Sequence, residues 1–345
     1  MSKLRFAQAG VSLMHAAMYR DTLMLLSDEI ELVGFYDPDP DAVRERVKPD
    51  AAHVPFYPDL GPLLATARPD AVMVSTYPVD MPAWMLQIAE AGVHLWAEKP
   101  VAARTDQLAP VAAAVAGRGL QFSTGYSWRF NPIARQIRDA LQQGLLGKPY
   151  ACAVNFSTSS VKRRDPASWV FQSALCGGGI LNWLGCHWFD LMRFITGSEI
   201  ASVTAIEANV GGQAIDVEDA AAVSLRFANG MIGSLHAGYY NSAGGETAVR
   251  LHGSRGWAKW DLADQACTIS SDHPDWAAAP ERHFHMPAAE YPGYGADGRA
   301  LVKAFAAAIS GEGESGYRVD DAIRALQIIE AAHESAASGR TIDVA

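Results

Sequence analysis

The first 125 residues alternate short apolar runs with segments of helical periodicity. The apolar runs predict strands at Leu4–Ala9, Glu31–Tyr36, Val54–Tyr57, Ala71–Ser75, His94–Ala97 and Gln121–Gly125. Apolar residues at three- and four-residue spacing predict helices between them, at Leu13–Leu26, Leu60–Ala67, Pro82–Ala91 and Thr105–Arg118. Such a repeating βα pattern folds as a doubly wound parallel sheet. The chain is therefore expected to be an α/β protein with an N-terminal Rossmann domain over residues 1–125.

Residues 126–345 have a different pattern. Beyond Gly144 and Gly147 the strand-like stretches are longer and are joined by Gly- and Asn-containing turns. The expected strands are Tyr150–Ser157, Ala201–Val210, Ala220–Phe227, Met231–Tyr240 and Thr247–His252. Amphipathic helices are expected at Gly298–Ser310 and Val319–Ala337. This pattern predicts a C-terminal α+β domain with a large, mostly antiparallel open sheet, whose last helices pack back toward the Rossmann domain.

Composition limits the partners that the chain can have. The formal net charge is −10 and Lys and Arg form no run, which disfavours nucleic acid and anionic membrane surfaces because both bind clustered positive charge. A small molecule is the expected partner. The N-terminus lacks the features of a secretory signal, and no apolar run approaches the roughly 20 residues of a membrane span. We therefore expect a cytoplasmic protein that spans no membrane.

Cysteines and histidines predict neither a disulfide framework nor a metal site. The four cysteines include no Cys-x-x-Cys pair, so we expect reduced, buried thiols. His283 and His285 form a His-x-His with His273 nearby, and alternate residues of a strand share a face. Because no carboxylate or cysteine completes a convincing ligand set, no metal is expected.

The turn after the first predicted strand is where a dinucleotide fold binds pyrophosphate. Glycines are needed there so that backbone N–H groups and a helix N-terminus can approach the phosphates. The glycine positions of G-x-G-x-x-G fall on Ala7, Ala9 and Ser12, and only Gly10 supplies a glycine nearby. Because Ala and Ser are small, a slightly displaced pyrophosphate could still bind at this turn. The alternative interpretation is a plain βα turn that binds no cofactor. The predicted cofactor contacts in this turn are Ala9, Gly10, Val11, Ser12 and Leu13.

Asp37 ends the second predicted strand, where a carboxylate can accept hydrogen bonds from ribose hydroxyls. The alternative is an ordinary turn-forming Asp before Pro38. A carboxylate here would repel a 2′-phosphate, and the next residues offer no arginine to receive one, so NAD is favoured over NADP. The remaining predicted cofactor contacts are Pro38, Ser75, Thr76, Tyr77, Glu98 and Lys99.

Glu98-Lys99-Pro100 follows the fifth predicted strand, so Lys99 is expected at the carboxyl end of the sheet, where open α/β folds bind ligands. With this signature the chain resembles the Gfo/Idh/MocA oxidoreductases. The similarity covers essentially all 345 residues. Its other matching stretches are Tyr126–Pro132, Gly144–Lys148, the triple glycine Gly177–Gly179 leading to His187 and Asp190, and Ala332–Arg340.

The resemblance implies a nicotinamide-dependent oxidoreductase that acts on a sugar, cyclitol or related polyol. It implies that Lys99 lies beside the reacting carbon, where a cation stabilises developing alkoxide charge or relays a proton; a solvated surface lysine is the alternative. His187 matches the family's general base, which takes the substrate hydroxyl proton in oxidation. A homodimer or homotetramer, formed through the open face of the second sheet, is also implied.

One position departs from the family pattern. The resemblance implies an aspartate one helical turn before His187, and this chain has Trp183 there. Asn182 is not expected to replace the acid, because one residue along an α-helix rotates the side chain by about 100°. Asp190 could orient the imidazole or bridge the scaffold, and Trp183 could stack on a sugar ring or belong to the core.

The predicted substrate contacts come from several segments. Lys162, Arg163 and Arg164 form a basic cluster that could bind a carboxylated or hydroxyl-rich substrate or remain a solvated loop. The full predicted set is Lys99, Tyr126, Arg163, Trp169, Asn182, Trp183 and His187.

The residues leave two other functions open. Transient oxidation followed by elimination and re-reduction, as in NAD-dependent glycosidases that share this resemblance, would release product without net NADH. A non-catalytic ligand-sensing protein would explain the degenerate glycine turn and Trp183, although a pure binder needs neither Lys99 nor His187.

Overall fold

The computed structural model describes residues 3–47, 51–262, 265–286 and 294–344. The chain divides into two compact units. The first contains Met1–Ser127 and Ala289–Ile323, and the second contains Trp128–Ala288 and Arg324–Ala345. The first boundary falls after Ser127, near the predicted one, and a late segment also belongs to the first unit.

The described strands of the first unit form a six-stranded parallel sheet. They are β1 (Leu4–Ala9), β2 (Ile30–Tyr36), β3 (Phe56–Tyr57), β4 (Ala71–Val74), β5 (His94–Ala97) and β6 (Phe122–Thr124). Their order is β3-β2-β1-β4-β5-β6. All of β4 is buried, as expected of a parallel strand covered on both faces. The predicted Rossmann sheet is confirmed.

The helices of this unit follow the predicted crossovers. They are α1 (Ala16–Met24), α2 (Pro40–Arg46), α3 (Leu60–Pro62) continued by a π turn at Leu63–Ala67, α4 (Met81–Glu90), and α5 (Ala109–Gly117) preceded by a 3₁₀ turn at Thr105–Leu108. The sequence pattern missed α2. Its start is nevertheless marked locally, because the Asp39 side chain caps the Asp41 N–H and Pro40 occupies the first helical position.

Nine described strands form the sheet of the second unit. They are β7 (Pro149–Ser159), β8 (Ile200–Ala208), β9 (Ala220–Phe227), β10 (Ile232–Asn241), β11 (Glu246–Gly253), β12 (Gly256–Asp261), β13 (Ala266–Ser271), β14 (Glu281–His285) and β15 (Ile342–Asp343). The order is β14-β13-β12-β11-β7-β10-β9-β8-β15. β7 pairs with β10 in parallel, and the other described pairs are antiparallel. The predicted mostly antiparallel sheet is confirmed.

The second unit also contains α6 (Pro132–Gln142), α7 (Ser173–Cys176) and α8 (Cys186–Thr196). Helix α9 (Gly295–Ile309) belongs to the first unit, and α10 (Val319–Ser338) continues into the second. Within the described residues, no helix is both long and apolar enough to cross a membrane.

Helix α9 packs on the first sheet through an aromatic pair. Phe305 and Phe6 are fully buried, with ring centroids 6.0 Å apart at 83°. We expect Phe305→Ala to lower the free energy of unfolding by about 3–5 kcal/mol, since it removes a buried ring and leaves a cavity. Urea denaturation measures the change. On the same helix, Lys303 and Glu29 form a half-exposed ion pair, so Lys303→Ala should cost at most about 1 kcal/mol. Equal losses in the two variants would contradict this packing.

Candidate active site

The turn after β1 is held against β4 by a contact that only glycine permits. Gly10 has a φ of +92°, and a Cβ built there would lie 1.9 Å from the Ser75 carbonyl oxygen. The Gly10 N–H donates to the carbonyl oxygen of Tyr36 at 2.7 Å, and the Ser75 N–H donates to that of Ala9 at 2.8 Å. The turn therefore crosses the carboxyl ends of three neighbouring strands at close range.

Asp37 binds this turn from the end of β2. Its Oδ2 accepts hydrogen bonds from the N–H groups of Val11 (2.8 Å) and Ser12 (3.1 Å) and from the Ser12 hydroxyl (2.7 Å). Its Oδ1 accepts from the Asp39 N–H at 2.9 Å. The N–H groups that were expected to face a pyrophosphate thus point at a buried carboxylate of the chain itself. Asp37 organises the turn in addition to any contact that it makes with ribose.

Helix α1 begins later than predicted. It starts at Ala16 rather than at Leu13, because the backbone of Val11 and Ser12 turns toward Asp37 before the helix can form. The buried Gln8 amide braces the longer turn by donating to the carbonyl oxygens of Gly10 (3.1 Å) and Ala16 (2.9 Å). The missed boundary reflects side-chain hydrogen bonds that compete with the helix.

The predicted cofactor residues lie along one edge of this sheet. Ala9, Gly10, Val11, Leu13, Asp37, Ser75, Glu98 and Lys99 are buried, Ser12, Thr76 and Tyr77 are half-buried, and Pro38 is exposed. The edge fits a nicotinamide dinucleotide: Gly10 presents no Cβ, and a carboxylate ends β2. Gly10, Val11 and Ser12 would hold its phosphates, and Asp37 its adenosine ribose.

Glu98 and Lys99 are buried charges at the end of β5, 2% and 1% exposed. Glu98 Oε1 lies 2.7 Å from His15 Nδ1, and Oε2 accepts a hydrogen bond from the Tyr19 hydroxyl. A Cβ at Gly125 would lie 2.6 Å from the Tyr19 oxygen and 3.3 Å from both Glu98 Oε2 and Lys99 Cγ. This packing excludes the interpretation of Lys99 as a solvated surface lysine.

His187 lies in the first turn of α8, 8% exposed, directly after a π turn at Leu181–Gly185. In that turn the Cys186 N–H donates to the Leu181 carbonyl oxygen, five residues earlier. A π turn contains one residue more than an α turn. Asn182, five residues before His187, therefore takes the angular place that a residue four positions earlier has in an α-helix. The prediction that Asn182 faces away from His187 assumed an α-helix, and this segment is a π turn instead.

The remaining predicted substrate residues differ in their burial and in the unit to which they belong. Trp183 is 3% exposed and meets Trp169 edge to face, with centroids 5.0 Å apart. Arg163 is exposed in a 3₁₀ turn, whereas Arg164 lies over the Tyr239 ring at 4.9 Å. Tyr126, in the first unit, is fully buried. Substrate contact by these residues stays a prediction.

Asp190 bridges the scaffold of the second unit, as one of its two interpretations predicted. It is fully buried, and Arg129 donates to both of its carboxylate oxygens, with Nε 2.9 Å from Oδ2. Arg193 Nη1 lies 3.8 Å from Oδ1. Two cations thus neutralise the buried Asp190 carboxylate, which lies on the same helix as His187.

A cluster that the sequence did not reveal lies at the triple glycine. Carboxylate oxygens of Glu207 and Glu218 and a ring nitrogen of His333 lie within 4.8 Å of one another. Glu218 accepts hydrogen bonds from the N–H groups of Gly179 (2.8 Å) and Leu181 (3.0 Å). His333 Nδ1 lies 2.9 Å from both Glu207 oxygens, although the two residues are 126 positions apart. Sequence spacing carries no signal over such a distance.

Comparison with known proteins follows the same two-part division. The model of an oxidoreductase family with an NAD-binding Rossmann fold matches residues 4–126, and that of a GFO/IDH/MocA C-terminal domain matches residues 134–259. Inositol 2-dehydrogenase of Rhizobium meliloti (strain 1021) is 26% identical over 285 residues, which are 81% of this chain and 82% of that protein.

Solved structures share the fold over the whole chain. An oxidoreductase domain protein from Kribbella flavida superposes with a TM-score of 0.89 at 21% identity, covering 100% of both chains. Levoglucosan dehydrogenase in complex with NADH and levoglucosan superposes with a TM-score of 0.85 at 20% identity, covering 99% of this chain and 100% of that one.

The Asp37 carboxylate generates a prediction about cofactor choice. Asp37→Asn keeps the size of the side chain but removes the charge that we expect to bind ribose hydroxyls and to repel a 2′-phosphate. We expect NAD affinity to fall by about 10- to 100-fold, as for the loss of a charged hydrogen bond, and the preference for NAD over NADP to shrink. Calorimetric titration with both cofactors measures this. Asp39→Asn, at an exposed neighbour, is the control, and unchanged NAD affinity in Asp37→Asn would refute the assignment.

Proposed function

We propose, since the chain belongs to the GFO/IDH/MocA family of NAD-binding oxidoreductases, that it transfers hydride between NAD and a secondary alcohol or ketone carbon of a sugar, cyclitol or related polyol. Enzymes named for such substrates are among its relatives, including inositol 2-dehydrogenase, levoglucosan dehydrogenase and D-apiose dehydrogenase. Small hydroxyl-rich molecules also suit a chain of net charge −10 that has no basic run.

The buried Lys99 is the observation that carries the proposal. A lysine that is 1% exposed is rare in a scaffold, because removing an ammonium from water is costly. Its position after β5 is the edge at which open α/β sheets bind ligands. A cation held there in low dielectric stabilises negative charge on a substrate oxygen much more than a solvated cation would.

Three side chains of the protein have proposed roles in the reaction. NAD, when bound, supplies the carbon that accepts or returns the hydride. His187 takes the proton of the substrate hydroxyl during oxidation and returns it during reduction, a role for which histidine is the side chain most often used. Lys99 stabilises the developing alkoxide. Glu98, bonded to His15 and Tyr19, fixes the backbone from which Lys99 extends.

Substrate recognition is assigned to the second unit. The edge-to-face pair of Trp169 and Trp183 offers an apolar aromatic surface to the C–H face of a sugar or cyclitol ring. Arg163, exposed and close to Trp169 in sequence, would bind hydroxyl or carboxyl oxygens of the substrate. Assembly as a homodimer or homotetramer, and a cytoplasmic location, remain part of the proposal.

Removal of the proposed catalytic groups should separate chemistry from cofactor binding. We expect Lys99→Met to lower kcat by about 10²–10³-fold, since a cation beside the alkoxide is lost, and His187→Asn to lower it by about 10²–10⁴-fold. NADH affinity of His187→Asn should be unchanged. The measurement is NADH formation with a panel of inositols, pyranoses and anhydrosugars, with thermal unfolding as a check of folding.

Lys303→Met, at an exposed lysine of the first unit, is the matched control and should retain full turnover. Unchanged kcat in folded Lys99→Met would sink the role of that residue. Failure of the wild-type protein to turn over any polyol would sink the proposed function. Product release with no accumulation of NADH would identify the elimination chemistry instead.

A further inference from the structure

His333 on α10 is hydrogen bonded at both ring nitrogens. Nδ1 lies 2.9 Å from each carboxylate oxygen of Glu207 on β8, and Nε2 lies 2.8 Å from Oδ1 of Asn182 in the π turn. Three segments that are distant in sequence therefore meet at one imidazole. All of them belong to the second unit.

The orientation of the Asn182 amide follows from its other contact. Nδ2 of Asn182 donates to the carbonyl oxygen of Cys176 at 3.4 Å. A carbonyl oxygen only accepts hydrogen bonds, so a flipped amide would place two acceptors together. Oδ1 must therefore face His333, and Nε2 must carry a proton. Because Nδ1 faces a carboxylate, it carries one too, and the ring is an imidazolium.

The charges around the ring favour this protonated form. Burial by itself would lower the pKa of His333, but the hydrogen bond that the ring donates to Glu207 and the charges of Glu218, Glu207 and Glu330 outweigh it, and the pKa is raised. Burial raises the pKa of Glu218, with a smaller contribution from Glu207, against the opposing charge of His333. The carboxylates face the ring from β8, from the segment before β9 and from α10 itself.

The triple glycine is shaped to admit this network. A Cβ at Gly178 would lie 2.1 Å from Asn182 Oδ1 and 2.7 Å from His333 Nε2. A Cβ at Gly179 would lie 1.9 Å from the Glu218 carbonyl oxygen. Both glycines are thus required by close approach to the network. The segment that leads into the His187 helix is built around the Asn182–His333 hydrogen bond.

The fixed amide has a defined chemical character. Its oxygen is occupied by the imidazolium and one N–H hydrogen is occupied by Cys176, so the group that it can offer is its second N–H. The π turn adds one residue between Asn182 and His187 relative to an α-helix, a spacing that would turn both side chains to one side of the helix. A neutral N–H donor stabilises an alkoxide or carbonyl oxygen of a substrate, whereas a carboxylate at the same place would accept from a hydroxyl.

We propose that His333, protonated and anchored by Glu207, is a positioning residue that fixes the Asn182 amide as a hydrogen-bond donor to the reacting substrate oxygen. This rests on the proposed hydride-transfer function. His333 acts only through Asn182. Glu207 acts only by holding His333.

A double-mutant cycle tests the dependence of His333 on Asn182. We expect His333→Gln and Asn182→Ala each to lower kcat by about 10- to 100-fold, as for misplacement of a polar group at a reacting centre. The double variant should lose no more than Asn182→Ala alone, because the two residues act as one unit. Glu207→Gln, which keeps its shape, should show a smaller loss of the same kind. Glu334→Gln, an exposed neighbour on α10, is the control and should keep the wild-type kcat.

The pH profile provides a readout that a purely structural role would not move. Since protonation of His333 holds the amide, the wild-type kcat should fall as pH rises through the raised pKa of His333. In His333→Gln this decline should disappear and leave the lower, constant value. Imidazole nitrogen NMR of the wild-type protein should show one histidine that stays doubly protonated above the ordinary histidine range.

These experiments separate failure of the inference from failure of the proposed function. Unchanged kcat in folded His333→Gln, additive losses in the double variant, or a retained high-pH decline overturns the inference while leaving the proposed function standing. If His333→Gln does not fold, Glu207→Gln and the NMR signal decide: normal kcat, or a neutral ring near pH 7, overturns the inference. Absence of turnover in the wild-type protein marks failure of the proposed function itself.

Discussion

A single line of backbone hydrogen bonds fixes the carboxyl edge of the parallel sheet. In each case the first residue after one strand donates to the last residue of its neighbour. The pairs are Gly10 to Tyr36, Ser75 to Ala9, Glu98 to Val74 and Gly125 to Ala97, at 2.7, 2.8, 2.8 and 3.1 Å. This line continues the ladder one residue beyond the strands. It fixes the backbone of Gly10, Ser75, Glu98 and Gly125, and glycines occupy two of these four donor positions because a Cβ there would collide with its neighbours.

The same edge concentrates charge that the fold must neutralise. Asp37, Glu98 and Lys99 are each at most 3% exposed, and a buried charge is costly unless hydrogen bonds satisfy it. Asp37 is satisfied by backbone N–H groups of the glycine turn, and Glu98 by His15 and the Tyr19 hydroxyl. The arrangement stabilises the turn before any ligand is present. A cofactor phosphate at this turn would compete with Asp37 for the N–H groups of Val11 and Ser12.

The sequence patterns sufficed to predict both sheets. A strand that is buried on both faces reads as a continuous apolar run, and a strand that is buried on one face alternates apolar and polar residues. The strands Gly256–Asp261, Ala266–Ser271 and Glu281–His285 were missed. In Glu281–His285 every residue is exposed or half-buried, so hydrophobicity does not mark it. At the site, sequence position identified Lys99 and His187 as candidates. It could not identify His15, Arg129 or His333, whose partners are 61 to 151 positions away and are brought near only by the sheets.

The π turn changes the helical spacing on which the reasoning about Asn182 rested. A residue inserted into a helix shifts all later side chains by one position. Trp183, at the family's acidic position, meets Trp169 edge to face, and the preceding residue, Asn182, accepts a hydrogen bond from His333. The segment before His187 therefore contains an amide and no carboxylate. A carboxylate there would add negative charge to a region that already contains Glu207 and Glu218, whereas an amide oxygen accepts from His333 without adding any. The amide is therefore the side chain that the local electrostatics favour, and the inserted residue is what allows the chain to present it.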